Sequence, residues 1–475
     1  MNTAGRDGKG VADIGSRLEP FVDDWLIESM RGVDLKLHPP ERCETALAFD
    51  APWEGSGSAY VTVFKDGERY RMYYRGSSAD GARREVTCCA ESDDGIHWHR
   101  PSFGACEFDG SRDNNIVWTE AGSHNFMPFR DANPQASEAE RYKAIGGGYH
   151  GFVSSDGIHW KKVRDEKIID PFAKCVGDGD WIGQAFWDAE QEHYVAYVRG
   201  WRGSDPIRFQ HELPAEHDGT LYPLCHVPDT YRQVLRCTST DFIDWTEPEF
   251  INFGGTPPEH FYTNAVTPYF RAPHVYLAFP KRFAPERKKV EEHDKDGVSD
   301  AVFLSSRDGM NFDRRFMEAF LRPGRDRLNW TQRSNMPAWG VVPTGPDEIS
   351  IYFSENYDHP TGRMRRARLR TDGFVSVHAD YRGGELVTRP IVFRGGALIL
   401  NYATSAVGSV QAEIQDGDGQ PVPGHALADS TEIYGDEIEH AVAWKGGSDL
   451  ARLSGRPVRL RFVMKDADLY SIRFR

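Results

Sequence analysis

The chain has 475 residues, room for two or three domains or for one large repeat domain with an appendage. Hydrophobic residues at 39% and aromatics at 12% exclude wholesale disorder. A net charge of −15 argues against a nucleic-acid partner, because phosphate binding needs clustered cations.

The first residues, MNTAGRDGKG, lack the apolar core of a secretory signal, and no run approaches the roughly 18 apolar residues of a membrane span. A cytoplasmic protein without membrane contact is expected, or a periplasmic or secreted one if a leader was removed. Seven cysteines, an odd count without a Cys-x-x-Cys pair, suit reduced buried thiols rather than zinc. Cys88 and Cys89, adjacent in a predicted strand, should point to opposite faces.

From residue 58 the chain reads as short strands. SAYVTVF (58–64) and RYRMYY (69–74) flank KDG as a hairpin, and RYKAIGGGYHGFVSS (141–155) forms a second unit. QAFWDAEQEHYVAYV (184–198), AVTPYFRAPHVYLAF (265–279) and WGVVPTGPDEISIYF (339–353) continue the series. Each unit carries one turn: SDDGIHW (92–98), SSDGIHW (154–160), STDFIDW (239–245), SRDGMNF (306–312) and a weaker RTDGFVS (370–376). The shared residues Asp94, Asp156, Asp241, Asp308 and Asp372 are 62, 85, 67 and 64 residues apart, the longest interval holding an insertion at 201–230. Ser and Asp beside Gly make an Asx-type turn, and the following aromatic plugs the layer below, so these aspartates are structural.

Five such units specify an all-β, five-bladed β-propeller, since one twisted sheet cannot bury both faces alone. No helix of three turns is expected. Residues 1–49 would close the propeller, 50–380 form it, and 381–475, with strands such as ALILNYA and VRLRFVMKD, make a jelly-roll-like β-sandwich. RMRRARLR (363–370) reads as an outer strand exposing arginines. GGGYHG (146–151) leads into a strand, not a helix, so no dinucleotide site follows from it.

Five blades, Asp-Gly turns and a C-terminal sandwich resemble the five-bladed glycoside hydrolases of families 32, 43 and 130. FVDDWLIE, EHFYTNA and FPKRF are similar to stretches of bacterial family 32-like proteins. The resemblance implies a carbohydrate site at the axis, with catalytic carboxylates on inner strands. At the corresponding positions stand Tyr60, Ile182 and Asn264, so any catalysis must use neighbours.

The candidate acids are Glu259, expected beside prolines and aromatics as a proton-holding general acid, and Asp180, Asp24 or Glu54 as base or nucleophile. His124, Asn125, Asp131, Gln184, His260, Asn264, Arg333 and Asn335 would bind sugar hydroxyls, and Trp181 and Tyr262 a ring face. A glycoside hydrolase acting on a small oligosaccharide or furanoside is the leading expectation. A phosphorylase, with Arg333, Arg282 and Lys281 as its anion site, and a non-catalytic carbohydrate-binding propeller are the alternatives. No cofactor is required; a structural calcium ion and a homo-oligomer are both compatible with the pattern.

Overall fold

The computed structural model describes residues 10–78, 84–170, 183–203 and 229–475. Asp180, Trp181 and Ile182, with most of the 201–230 insertion, lie outside the described residues. The chain is all-β; among the described residues the helical segments are three-residue turns, and no helix is long and apolar enough to cross a membrane. Two compact units divide it: residues 40–368, and residues 1–39 with 369–475. The N-terminal segment expected as one piece is therefore shared between them.

The 40–368 unit contains, among the described residues, five antiparallel sheets of four strands. The first runs Ala59–Asp66, Arg69–Gly76, Val86–Ser92, Ile116–Trp118. The second is Met127–Arg130, Tyr142–Gly146, His150–Ser154, Lys161–Lys162, and the third Gln184–Asp188, His193–Arg202, Tyr231–Ser239, Glu249–Phe250. The fourth is Thr267–Tyr269, Ala272–Ala278, Leu304–Ser306, Phe312–Asp313. The fifth takes Val342–Pro343, Glu348–Glu355 and Arg363–Arg370 from late in the chain and its last strand, Glu41–Ala48, from near the start. RMRRARLR is thus an interior strand, not an outer one. Its arginines are absorbed by acids on both flanks: Arg363 and Arg365 by Glu355, Arg366 by Glu44 and Glu348, Arg368 by Glu41.

The repeated turn joins the third and fourth strands of the first four sheets, and its bonds repeat with its sequence. Asp94 Oδ1 accepts from the Ile96 and His97 amides at 2.7 and 2.8 Å, and the Ser92 hydroxyl accepts from Gly95 N at 2.9 Å. Asp156, Asp241 and Asp308 make the same pairs of bonds. These bonds hold Asp94 and Asp156 well below the usual carboxylate range, burial opposing and the His97 or His159 ring and backbone amides outweighing it. The Trp98, Trp160 and Trp245 indoles fold back to donate to the carbonyl three residues earlier. The fifth copy departs from this. Asp372, at φ 62 and fully buried, instead accepts from Ser471 Oγ at 2.8 Å and Asn401 Nδ2 at 3.2 Å. Its fourth strand comes from elsewhere in the chain, so no Ser-x-Asp-Gly connection is needed there.

Tyrosines latch neighbouring sheets through these turns. Tyr73 of the first sheet donates to the Gly157 carbonyl of the second at 3.0 Å, and Tyr197 of the third to Gly309 of the fourth at 2.8 Å. Tyr352 of the fifth sheet donates to Gly95 of the first. The fifth sheet also meets the first through backbone bonds, Val63 N to Trp339 O at 2.8 Å and Trp339 N to Val61 O at 2.9 Å. Cys88 and Cys89, both fully buried, enter two different apolar clusters, as alternation along a strand requires.

The other unit is built on an eight-stranded sheet in which the long strands Leu398–Gln415 and Arg459–Phe474 pair antiparallel. It buries its own core, with Phe393 stacked on Phe474 at 3.7 Å.

Candidate functional site

The first strands of the five sheets, or the residues leading into them, meet around one small cavity of about 30 Å³, roughly one water's worth of space. Tyr60, Asn125, Gln184, Asn264 and Trp339 line it. Its polar lining is only partly satisfied. Neither end of the buried Asn125 amide has a hydrogen-bond partner, nor does Gln184 Oε1. Asn264 is better held, accepting from Val266 N at 3.2 Å.

Two tyrosines are aimed inward by irregular backbone. Register between the first two strands slips between Ala59 and Thr62, and Tyr60, in the slip, has φ 55. Tyr262 sits in a second slip, between Phe261 and Thr263, where His260–Thr263 pairs with Lys281–Ala284. A bulge breaks the two-residue alternation and re-aims a side chain, which is why such slips recur beside functional sites. The two phenol oxygens are 2.7 Å apart.

Cations crowd this pair. Lys281 Nζ lies 4.0 Å from the centre of the Tyr262 ring, and the Arg199, Arg232 and Arg333 guanidiniums 5.0, 5.0 and 5.8 Å from it. Arg75 covers the Tyr60 ring at 4.6 Å. The Tyr357 hydroxyl accepts from Arg75 and Arg333 at 3.0 and 3.1 Å. Seven of these eight side chains are buried, and Arg333 is half-buried. Burial pushes the Tyr262 phenol up, but Arg333, Arg199 and Arg232, with the Tyr60 hydrogen bond, bring it below the ordinary tyrosine value. Tyr60 goes the other way, pushed well up by burial and by Tyr262 beside it. The cations gathered about Tyr262 thus favour ionisation there over ionisation at Tyr60.

Glu85 joins the cluster, 3.3 Å from Arg75 and 2.8 Å from His124, whose ring lies 5.8 Å from Tyr60. His260 accepts from Arg232 N at 3.1 Å and belongs to the same wall.

The other expected residues lie in different surroundings. Glu259 is not in an apolar setting: its carboxylate takes Arg282 at 2.9 Å and the fully buried Arg314 at 3.0 Å. Arg282 also pairs with Asp300 at 2.7 Å, so Lys281 and Arg333 meet about Tyr262 and Arg282 does not. Glu54 is fully buried beneath Arg100 at 2.8 Å and the Tyr74 hydroxyl at 2.5 Å. Asp131 binds Lys143 and Tyr194 at 2.8 and 2.7 Å. Asn335 spans the Ser299 and Asn329 carbonyls at 3.0 and 2.9 Å. Asp24 is exposed in the other unit. Among the described residues no three His, Cys, Asp or Glu side chains could hold a metal ion.

Arg75, Arg199, Arg232, Tyr357 and Glu85 were not candidates from sequence. The signal for the arginines was present: MYYRG, AYVRGW and TYRQVL place a charge inside apolar strands, where charge is rarely buried without purpose.

No protein-family model and no curated protein matches the chain. Solved structures similar to it include a glycoside hydrolase, 13% identical over 69% of this chain and 92% of that one, TM-score 0.45. Another is an N-acetylgalactosamine deacetylase from F. plautii in complex with blood group B trisaccharide, 14% identical, covering 71% and 95%, TM-score 0.42. A third comes from the GH130 family of mannoside phosphorylases, described as containing glycoside hydrolases that target beta-1,2 mannosidic linkages in Candida mannan. It is 13% identical over 74% and 96%, TM-score 0.37. At these identities and scores none assigns substrate or chemistry.

Proposed function

We propose that the chain is a carbohydrate-active enzyme that cleaves glycosidic bonds in an anionic saccharide, at the axis of a five-bladed propeller carrying a C-terminal sandwich. The propeller is supported by the tyrosine latches between sheets, including fifth to first, and by the convergence of first strands on one cavity. The site is supported by one observation above all: Tyr60 and Tyr262 in contact, ringed by Arg75, Arg199, Arg232, Arg333 and Lys281. Guanidinium groups recognise carboxylate and phosphate by paired hydrogen bonds, and the partnerless Asn125 and Gln184 atoms offer bonds to hydroxyls.

Phosphorolysis is a second reading, favoured by the same cations, with phosphate as the anion held and Glu85, paired with Arg75, as the carboxylate beside them. Asp180 would act as a further carboxylate. Reducing-end release from acidic and neutral oligosaccharides, with and without phosphate, tests both. Cleavage of acidic members without phosphate supports the first, strict phosphate dependence the second, and no cleavage of any member defeats both.

A further inference from the structure

We infer that the tyrosine pair cleaves a uronate-containing saccharide by β-elimination, Tyr262 acting as base and Tyr60 as acid, with the surrounding cations neutralising the uronate carboxylate. The inference rests on the proposed glycosidic-bond cleavage and names its route and substrate class.

Elimination needs three things from a protein: a base for the proton on C5, an acid for the oxygen leaving C4, and positive charge at the C6 carboxylate, where the carbanion develops. The pair and its cations supply all three. Cations over the face of Tyr262 stabilise a phenolate more than a phenol, because ionisation adds electron density to the ring. Arg333 is half-buried; its buried Nε has no hydrogen-bond partner while its Nη1 donates to the Tyr357 hydroxyl, so a carboxylate completes its coordination. Four cations lie about the Tyr262 ring against one over Tyr60, which gives Tyr262 the base's role and Tyr60 the acid's.

The step balances within the pair. The Tyr262 oxygen takes the C5 proton, and the freed electron pair becomes the C4–C5 double bond. The C4–O bond breaks onto the leaving oxygen, which takes the Tyr60 proton. The proton now on Tyr262 crosses the 2.7 Å contact to Tyr60 and resets the pair. Neither water nor any oxidant is consumed.

The test uses the full chain with 4-linked galacturonate and glucuronate oligosaccharides and their carboxyl-reduced counterparts. Both new reducing ends and the ultraviolet absorbance of the conjugated double bond are followed. Expected is absorbance growing in step with reducing ends on the acidic substrates alone. Tyr262→Phe should lower the rate about a hundredfold or more and Tyr60→Phe about tenfold or more, with melting temperature and saccharide binding retained. Reducing ends without absorbance would overturn elimination while leaving glycosidic cleavage standing, a readout independent of whether any variant folds. No reducing ends from any substrate would overturn both. Full activity in Tyr262→Phe would remove the tyrosine from the chemistry.

Discussion

The Tyr60 and Tyr262 hydroxyls, each on a strand whose register slips at that residue, meet at 2.7 Å. The slip is the means of meeting, since regular strands would turn alternate residues away. With Tyr262 lowered by its cations and Tyr60 raised by burial, ultraviolet titration should show one phenol ionising below the ordinary tyrosine value. Its ionised fraction grows as pH rises, so activity should climb with pH and level off before ordinary tyrosines titrate. Tyr262→Phe should erase the early transition; its survival in that variant would assign it to another residue.

Glu259 is held by two guanidiniums, so its removal is a matter of stability. Glu259→Gln leaves the buried Arg314 without its counter-charge and should cost about 3 kcal/mol. Turnover per folded molecule should not change. Collapsed kcat at an unchanged Tm would restore Glu259 as a catalytic acid.

Asp156 in the second sheet's turn accepts two backbone amides, both at 2.8 Å. Asp156→Ala should cost about 1–2 kcal/mol by leaving those donors to water or unmet. Chemical denaturation would register this as a lower midpoint with an unchanged slope. No loss of stability would mean the turn is held by its indole plug alone.

In the other unit, burial brings His38 down to about 4 from 6.5, Asp468 opposing and Lys36 assisting. Its Nε2 lies 2.8 Å from Ser376 Oγ, which donates to Asp468 at 2.6 Å. The fold favours neutral His38, so the unfolded chain binds the extra proton first. The stability is complete above pH 6.5 and lost as pH falls towards 4, by up to about 3 kcal/mol. Thermal melts across this window should flatten in His38→Gln, and an unaltered slope would place the acid sensitivity elsewhere.

Strands and turns were legible because each is written locally: alternation gives the strand, and Ser-x-Asp-Gly gives the turn with its bonds. Asp372 shows the limit. The motif repeats there, but the fifth sheet takes its last strand from Glu41–Ala48, a pairing that no local pattern encodes. The candidate site was legible in part: Tyr262, Arg333, His124, Asn125 and Gln184 came from polar residues at strand entrances. Arg75, Arg199 and Arg232 did not, because the bulges and strand pairings that gather them around one ring are tertiary facts. Glu259 misled because its neighbours in sequence are apolar while its neighbours in space, Arg282 and Arg314, are 23 and 55 residues away.

The most direct test of an anion-recognising tyrosine–arginine site is calorimetric titration of a galacturonate oligosaccharide and its carboxyl-reduced counterpart into the intact chain and Arg333→Gln. Binding of the acidic ligand, weakened about tenfold or more both by carboxyl reduction and by the substitution, is the predicted result. Equal binding of the two ligands, or binding indifferent to Arg333→Gln, would contradict it.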